Sequence, residues 1–162
     1  MPIQNITWVK SPFRTRKFRM QPFLLVIHRA EKLVGVAEYL LGKDAKEREV
    51  SCHFAYSAKH DDFVQMVETT HRACHAGYST YQNRTGCNDF SIGIELPGPM
   101  HTPISDAVMI KLDKLTDKLL MGAKGITDCC GHCHVAPGRR TDPGPEFNFK
   151  QFCQKHNLRF IF

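Results

Sequence analysis

Imidazole, carboxylate and guanidinium groups crowd one short stretch of this chain, Gly131-His132-Cys133-His134-Val135-Ala136-Pro137-Gly138-Arg139-Arg140-Thr141-Asp142-Pro143-Gly144. Neutral imidazole and carboxylate are zinc ligands, and a fixed cation beside them suits an oxyanion formed in hydrolysis. The prolines and glycines cannot continue a helix. His132 and Asp142, ten positions apart, therefore meet only if the chain folds back between them. A loop that returns to its origin makes a ligand cage. A catalytic zinc takes three protein ligands and keeps one position open for water.

The pattern G-H-x-x-x-A-P-G-R-x-x-D-P-G over 131–144 resembles the carboxy-terminal signature of the zinc-dependent N-acetylmuramoyl-L-alanine amidases, the amidase and peptidoglycan-recognition family. Further segments agree with that family in the same order. Phe23-Leu24-Leu25-Val26-Ile27-His28 has the form of its early apolar strand ending in histidine, and Val50-Ser51-Cys52-His53-Phe54 resembles its S-x-H-F strand. Cys74-His75-Ala76-Gly77 resembles its W-H-A-G segment, and Asn88-Asp89-Phe90-Ser91-Ile92-Gly93-Ile94-Glu95-Leu96 its N-D-x-S-I-G-I-E strand. Separated motifs in one order, spread over roughly residues 5–150, are far more specific than any one pattern.

The resemblance implies that His28, His132 and Asp142 hold Zn2+, and that Glu95 is the general base and acid of an amide hydrolysis. Glu95 sits at the end of an apolar strand, where partial burial raises a carboxyl pKa toward the working range. Arg140 falls where many members have lysine, as a cation for the oxyanion; its planar, permanently charged fork makes it a non-equivalent replacement. The same comparison puts His75, Asn88 and His53 among substrate-binding positions. Cys74 replaces the usual tryptophan and removes a large apolar surface from the cleft. Cys52 stands where some phage members have a catalytic tyrosine, which leaves the proton transfers to Glu95. The substrate implied is peptidoglycan or a muropeptide fragment, cleaved between N-acetylmuramic acid and L-alanine. The alternative is a non-catalytic peptidoglycan-binding module of the same fold, whose mark is loss of a zinc ligand.

The elements that must position these groups alternate. Phe23 to Ile27, His53 to Tyr56, Phe63 to Val67, Ser91 to Leu96 and Ile126 to Gly131 are short apolar runs bounded by turn residues, and read as strands. Val34 to Leu41 reads as a short helix. Ser105 to Met121 carries Val108, Met109, Leu112, Leu115, Leu119 and Leu120 at spacings of three and four, with Ser105 as N-cap and Gly122 as a stop. Phe147, Phe149 and Phe152 predict a terminal helix packed on the sheet. The expectation is an α/β fold, one domain over residues 1–162, with a central mixed sheet of about five or six strands flanked by helices.

A length of 162 residues suits a single core. No apolar stretch follows the basic residues Arg14, Arg16, Lys17 and Arg19 that would serve as an export signal, and no membrane span is evident. With seven cysteines, an odd number, this predicts a monomer in a reducing cytoplasm with unpaired thiols, or one released through a lysis pore if phage-encoded. The net charge of +6 favours an anionic partner such as wall polymer. Nucleic acid is not expected, because no recognition motif accompanies the charge. One competing pattern remains: Cys130-x2-Cys133 followed by Cys153-x2-His156, a spacing close to that of structural zinc sites.

Overall fold

In a computed structural model, residues 3–13, 19–31 and 35–162 are described. Of the expected features, the basic residues Arg14, Arg16 and Lys17 and the first helical residue Val34 lie outside them.

A five-stranded sheet forms the centre. It comprises β1 (Leu24–Arg29), β2 (Phe54–Ser57), β3 (Asp62–Gln65), β6 (Ser91–Leu96) and β7 (Asp128–Gly131), in the order β3-β2-β6-β1-β7. β1 runs parallel to both β6 and β7, β2 runs parallel to β6, and only the edge strand β3 is antiparallel. The sheet is thus mixed, as expected. Each strand lies within two residues of its sequence-predicted span.

Alternation along the strands divides the molecule into two layers. Leu25 and Ile27 of β1 and Ile92, Ile94 and Leu96 of β6 face α3 (Asp106–Gly122) and α5 (Phe149–Lys155), where they pack with Leu112, Leu115, Leu119, Phe149 and Phe152. Ser105 caps α3, its side chain accepting a hydrogen bond from the Val108 N–H at 3.3 Å. The helix takes in Gly122, the expected stop, and ends at Ala123. Phe147 precedes α5 rather than starting it, with Asn148 as the N-cap.

The other side of the sheet carries Leu24, Val26 and Cys130, packed against Ala76, Tyr81, Phe90 and Val135. Its cover includes α1 (Val36–Leu41), α2 (Lys43–Glu47), the hairpin of β4 (Thr80–Tyr81) and β5 (Arg84–Thr85), and the single-turn α4 (His132–Val135). Both α2 and the hairpin lack an apolar period of their own and so leave no mark in the residue pattern. Parallel strands covered on both faces need apolar residues at successive positions, hence the run from Leu24 to Ile27 in β1, whereas β6 alternates Ile92, Ile94 and Leu96 with Ser91, Gly93 and Glu95.

Candidate metal centre and cleft

In an open sheet with parallel strands, the crevice beyond their carboxyl ends is where side chains from several strands converge. His28 is the fifth of six residues in β1, Glu95 the fifth of six in β6, and His132 directly follows β7. The β1–β6 register sets His28 against Glu95. Paired residues on parallel strands project from the same face, so the histidine and the carboxyl emerge side by side.

Asp142 arrives by the predicted return of the loop. α4 makes one turn and stops, the N–H groups of Arg139 and Arg140 both bond the Ala136 carbonyl, and the Cys133 N–H donates to the Asp142 carbonyl at 2.9 Å. Gly131 permits this close return. A Cβ there would lie 2.7 Å from Pro143 Cδ and 2.9 Å from Phe149 Cζ.

Three side-chain atoms then face one another. His28 Nδ1 and His132 Nδ1 are 3.0 Å apart, and each is 3.3 Å from Asp142 Oδ2. Tetrahedral ligands placed about 2.0–2.1 Å from zinc stand about 3.3–3.4 Å from each other, so this triangle has the dimensions of one face of such a site. Among the described residues it is the only group of three or more His, Cys, Asp or Glu side chains so arranged. The second edge of the ring also fits. His132 Nε2 lies 3.1 Å from the Ala76 carbonyl, which can only accept, and Arg139 Nη2, 3.4 Å from the same nitrogen, spends its two hydrogens on the Ala76 and Tyr78 carbonyls, so Nε2 carries the proton and Nδ1 presents a lone pair. Burial lowers the His28 imidazole to about 4, against the opposing pull of Asp142, and so keeps it neutral near pH 7. Burial alone would raise Asp142, but its contacts with His132 and His28 outweigh that and hold it far below the usual carboxylate range. Two neutral imidazoles and a carboxylate are the donor set that a catalytic zinc takes.

The triad opens into a cleft of about 640 Å³ whose lining includes Glu95, Arg140, Arg48 and Glu49. Glu95 is half-buried, and burial, with the nearby Asp142 charge, raises its carboxyl to about 8. It is thereby tuned to exchange protons near neutrality, as its strand-end position suggested. Arg140 is exposed on the cleft wall, where its charge is felt at His28.

The remaining expected site residues have different surroundings. His53 is fully buried and not part of the cleft lining: its Nδ1 accepts the Gly93 N–H at 3.1 Å and its Nε2 donates to the His71 carbonyl at 2.9 Å. It continues the β2–β6 ladder beyond Phe54, so it has no free atom for substrate. Asn88 borders the cleft, yet its Oδ1 is committed to the N–H groups of His75 and Ala76, at 3.1 and 2.8 Å. His75 also lines the cleft, but its Nδ1 is 2.9 Å from His28 Nε2. Two arginines escaped the sequence analysis. Arg139 donates to the carbonyls of Ala76 and Tyr78, at 2.5 and 2.8 Å, and Arg29 donates to the Thr102 carbonyl at 2.8 Å, tying the segment after β6 to the end of β1. Arg139 stood in plain view within the loop motif. Its role depends on a carbonyl 63 positions away.

The Cys130, Cys133, Cys153 and His156 pattern does not assemble. His156 sets one ring nitrogen 2.8 Å from Asp113 and the other 3.0 Å from Asp117, joining α5 to α3, and Cys153 Sγ faces the Cys129 carbonyl. No disulfide joins any of the seven cysteines.

Comparisons with known proteins bear on the fold and the family. The chain is 46% identical over 106 residues to the 1,6-anhydro-N-acetylmuramyl-L-alanine amidase AmpD of Enterobacter cloacae, an alignment covering 62% of this chain and 57% of that protein. The chain thus spans little more than half the length of that curated relative. The crystal structure of a selenomethionine AmpD derivative superposes with a TM-score of 0.75 at 31% identity, covering 96% of each chain. The solution structure of AmpD from Citrobacter freundii superposes with a TM-score of 0.64 at 33% identity, covering 93% of this chain and 90% of that one. The sequence profile of the N-acetylmuramoyl-L-alanine amidase family matches residues 18–145, a span that contains every candidate ligand as well as Glu95 and Arg140, and to that family the chain belongs.

Proposed function

We propose that this protein hydrolyses the amide bond between the lactyl group of N-acetylmuramic acid and the L-alanine of the stem peptide, using one zinc ion held by His28, His132 and Asp142. The observation that carries this is the ligand triangle with 3.0 and 3.3 Å edges, open to a cleft that also contains a carboxyl raised to about 8. Zinc bound there would supply a Lewis acid that polarises the scissile carbonyl and makes water more acidic.

The chain's own residues do the rest. Glu95 accepts a proton from the attacking water as its oxygen bonds to the carbonyl carbon. The same carboxyl returns that proton to the nitrogen as the C–N bond breaks, leaving a carboxylic acid on the muramyl side and a free amine on alanine. Arg140 places a permanent positive charge on the cleft wall, where it opposes the negative charge that develops on the carbonyl oxygen. Retention of the full triad together with Glu95 weighs against the non-catalytic binding module.

The names of the relatives favour a soluble 1,6-anhydromuropeptide as substrate, and so a muropeptide-recycling enzyme of the cytoplasm rather than an endolysin. No helix among the described residues is long and apolar enough to cross a membrane. Incubation with soluble anhydromuropeptides and with intact sacculi, followed by mass analysis of products, tests both statements. Release of stem peptide from the soluble fragments in preference to sacculi is expected. Preference for sacculi would overturn the recycling assignment, and no release from either would overturn the hydrolase.

A further inference from the structure

His28 can bind a metal through Nδ1 only if its single proton sits on Nε2, and nothing in a lone imidazole guarantees that. Its neighbour does not decide the matter directly. His28 Nε2 lies 2.9 Å from His75 Nδ1, and two imidazole nitrogens can share a proton in either direction. The direction is settled one contact further on. His75 Nε2 is 3.3 Å from Ser91 Oγ, while Ser91 Oγ is only 2.5 Å from the Cys87 carbonyl. That carbonyl can only accept, so the one hydroxyl proton of Ser91 points to it, and Ser91 Oγ is left as an acceptor. His75 must then donate from Nε2, which leaves His75 Nδ1 bare to accept from His28 Nε2.

We propose that Ser91 and His75 are positioning residues of the metal centre, forming a relay from the Cys87 carbonyl that forces the Nδ1 lone pair of His28 toward His132 and Asp142. The inference rests on the reading of the triad as a zinc site. It departs from the substrate-binding role that the family resemblance suggested for His75.

The packing around the relay is built for it. His75 lies against β6 at Gly93, where a Cβ would come within 2.5 Å of His75 Cγ and 2.7 Å of its Nδ1, so any other residue would push the ring off His28. The backbone of His75 is fixed by Asn88, whose Oδ1 accepts the N–H groups of both His75 and Ala76. Ala76 in turn supplies the carbonyl that holds the proton of His132 on Nε2. One segment therefore orients both imidazoles of the triad. His75 and Ser91 are buried, so water does not compete for these bonds.

Zinc affinity measured by chelator competition, together with ring-nitrogen NMR shifts of His28 in the metal-free protein, tests the relay. Expected results are about a 10- to 100-fold loss of affinity in His75→Ala, the usual range for losing a group that orients a metal ligand, and about 2- to 10-fold in Ser91→Ala, one hydrogen bond removed. Ser91→Thr, which restores the hydroxyl, and His75→Asn, whose side-chain oxygen can accept from His28, should each recover most of the affinity. In the wild type His28 should be protonated on Nε2, with that preference weakened in His75→Ala and Ser91→Ala. Wild-type zinc affinity in His75→Ala, with only a raised KM, would overturn the relay in favour of substrate contact, and so would a proton on His28 Nδ1 in the wild type. Failure of the wild type to bind zinc would instead sink the metal assignment, while the nitrogen shifts would still decide the relay.

Discussion

Glu95 is the residue on which the proposed reaction turns. Its carboxyl is raised to about 8 and stands beside His28 in the β1–β6 register. Glu95→Gln keeps the shape and removes the exchangeable proton. Turnover should fall by about 10²- to 10⁴-fold with zinc content unchanged, as read from product release and metal analysis of the same sample. Its titration leaves a second signature. Because the folded value of about 8 lies above the unfolded value, the metal-free protein has its full stability below the unfolded value and loses part of it as pH rises through 8. Urea unfolding of metal-free Glu95→Gln should therefore show a gain over wild type that is larger at pH 9 than at pH 5. An equal difference at both values would mean that the carboxyl is not raised.

At the scale of elements, the sheet holds its ligands by anchoring strand ends. β7 carries His132 at its carboxyl end, and its first residue, Asp128, is fully buried while accepting hydrogen bonds from Tyr81 Oη at 3.0 Å and Arg159 Nε at 2.6 Å. These contacts lock the hairpin of β4 and β5 and the carboxy-terminal segment to the strand. Asp128→Ala leaves the Tyr81 hydroxyl without its acceptor and should cost about 1–3 kcal/mol, the range for stranding a buried polar group, while the exposed Arg159 side chain turns to water. Chemical denaturation would measure it as a lowered midpoint at unchanged slope. An effect under about 1 kcal/mol would mean that these contacts do not hold the strand. On the opposite layer, His156 bridges α5 to Asp113 and Asp117 of α3, so the residue that looked like a zinc ligand serves instead to join two helices.

For the whole molecule, the arrangement predicts one zinc per chain. The cysteines are spread through the core or bonded locally, and among the described residues only the His28, His132 and Asp142 group has ligand geometry. Metal analysis should give one equivalent for wild type, one for Cys130→Ala and none for His28→Ala. A second equivalent lost in Cys130→Ala would restore the structural zinc.

Residue pattern, together with the family resemblance, was enough to single out the candidate ligands, the candidate base and the main strands in chain order. Each is a local property: an apolar run ends and a reactive side chain follows it, at His28, Glu95 and His132, and a glycine- and proline-rich loop must bring Asp142 back. Roles that depend on what a side chain touches across the fold were decided by tertiary structure. His75 meets His28 across 47 positions, and His132 meets the Ala76 carbonyl across 56. Those contacts follow from the β1–β6 register and from the space left above Gly93, neither of which is written in the neighbours of His75. For the same reason His53 looked like a site residue in its motif and proved to be a rung of the sheet, and the cysteine pattern looked like a metal site until the packing of α5 against α3 turned His156 toward two aspartates.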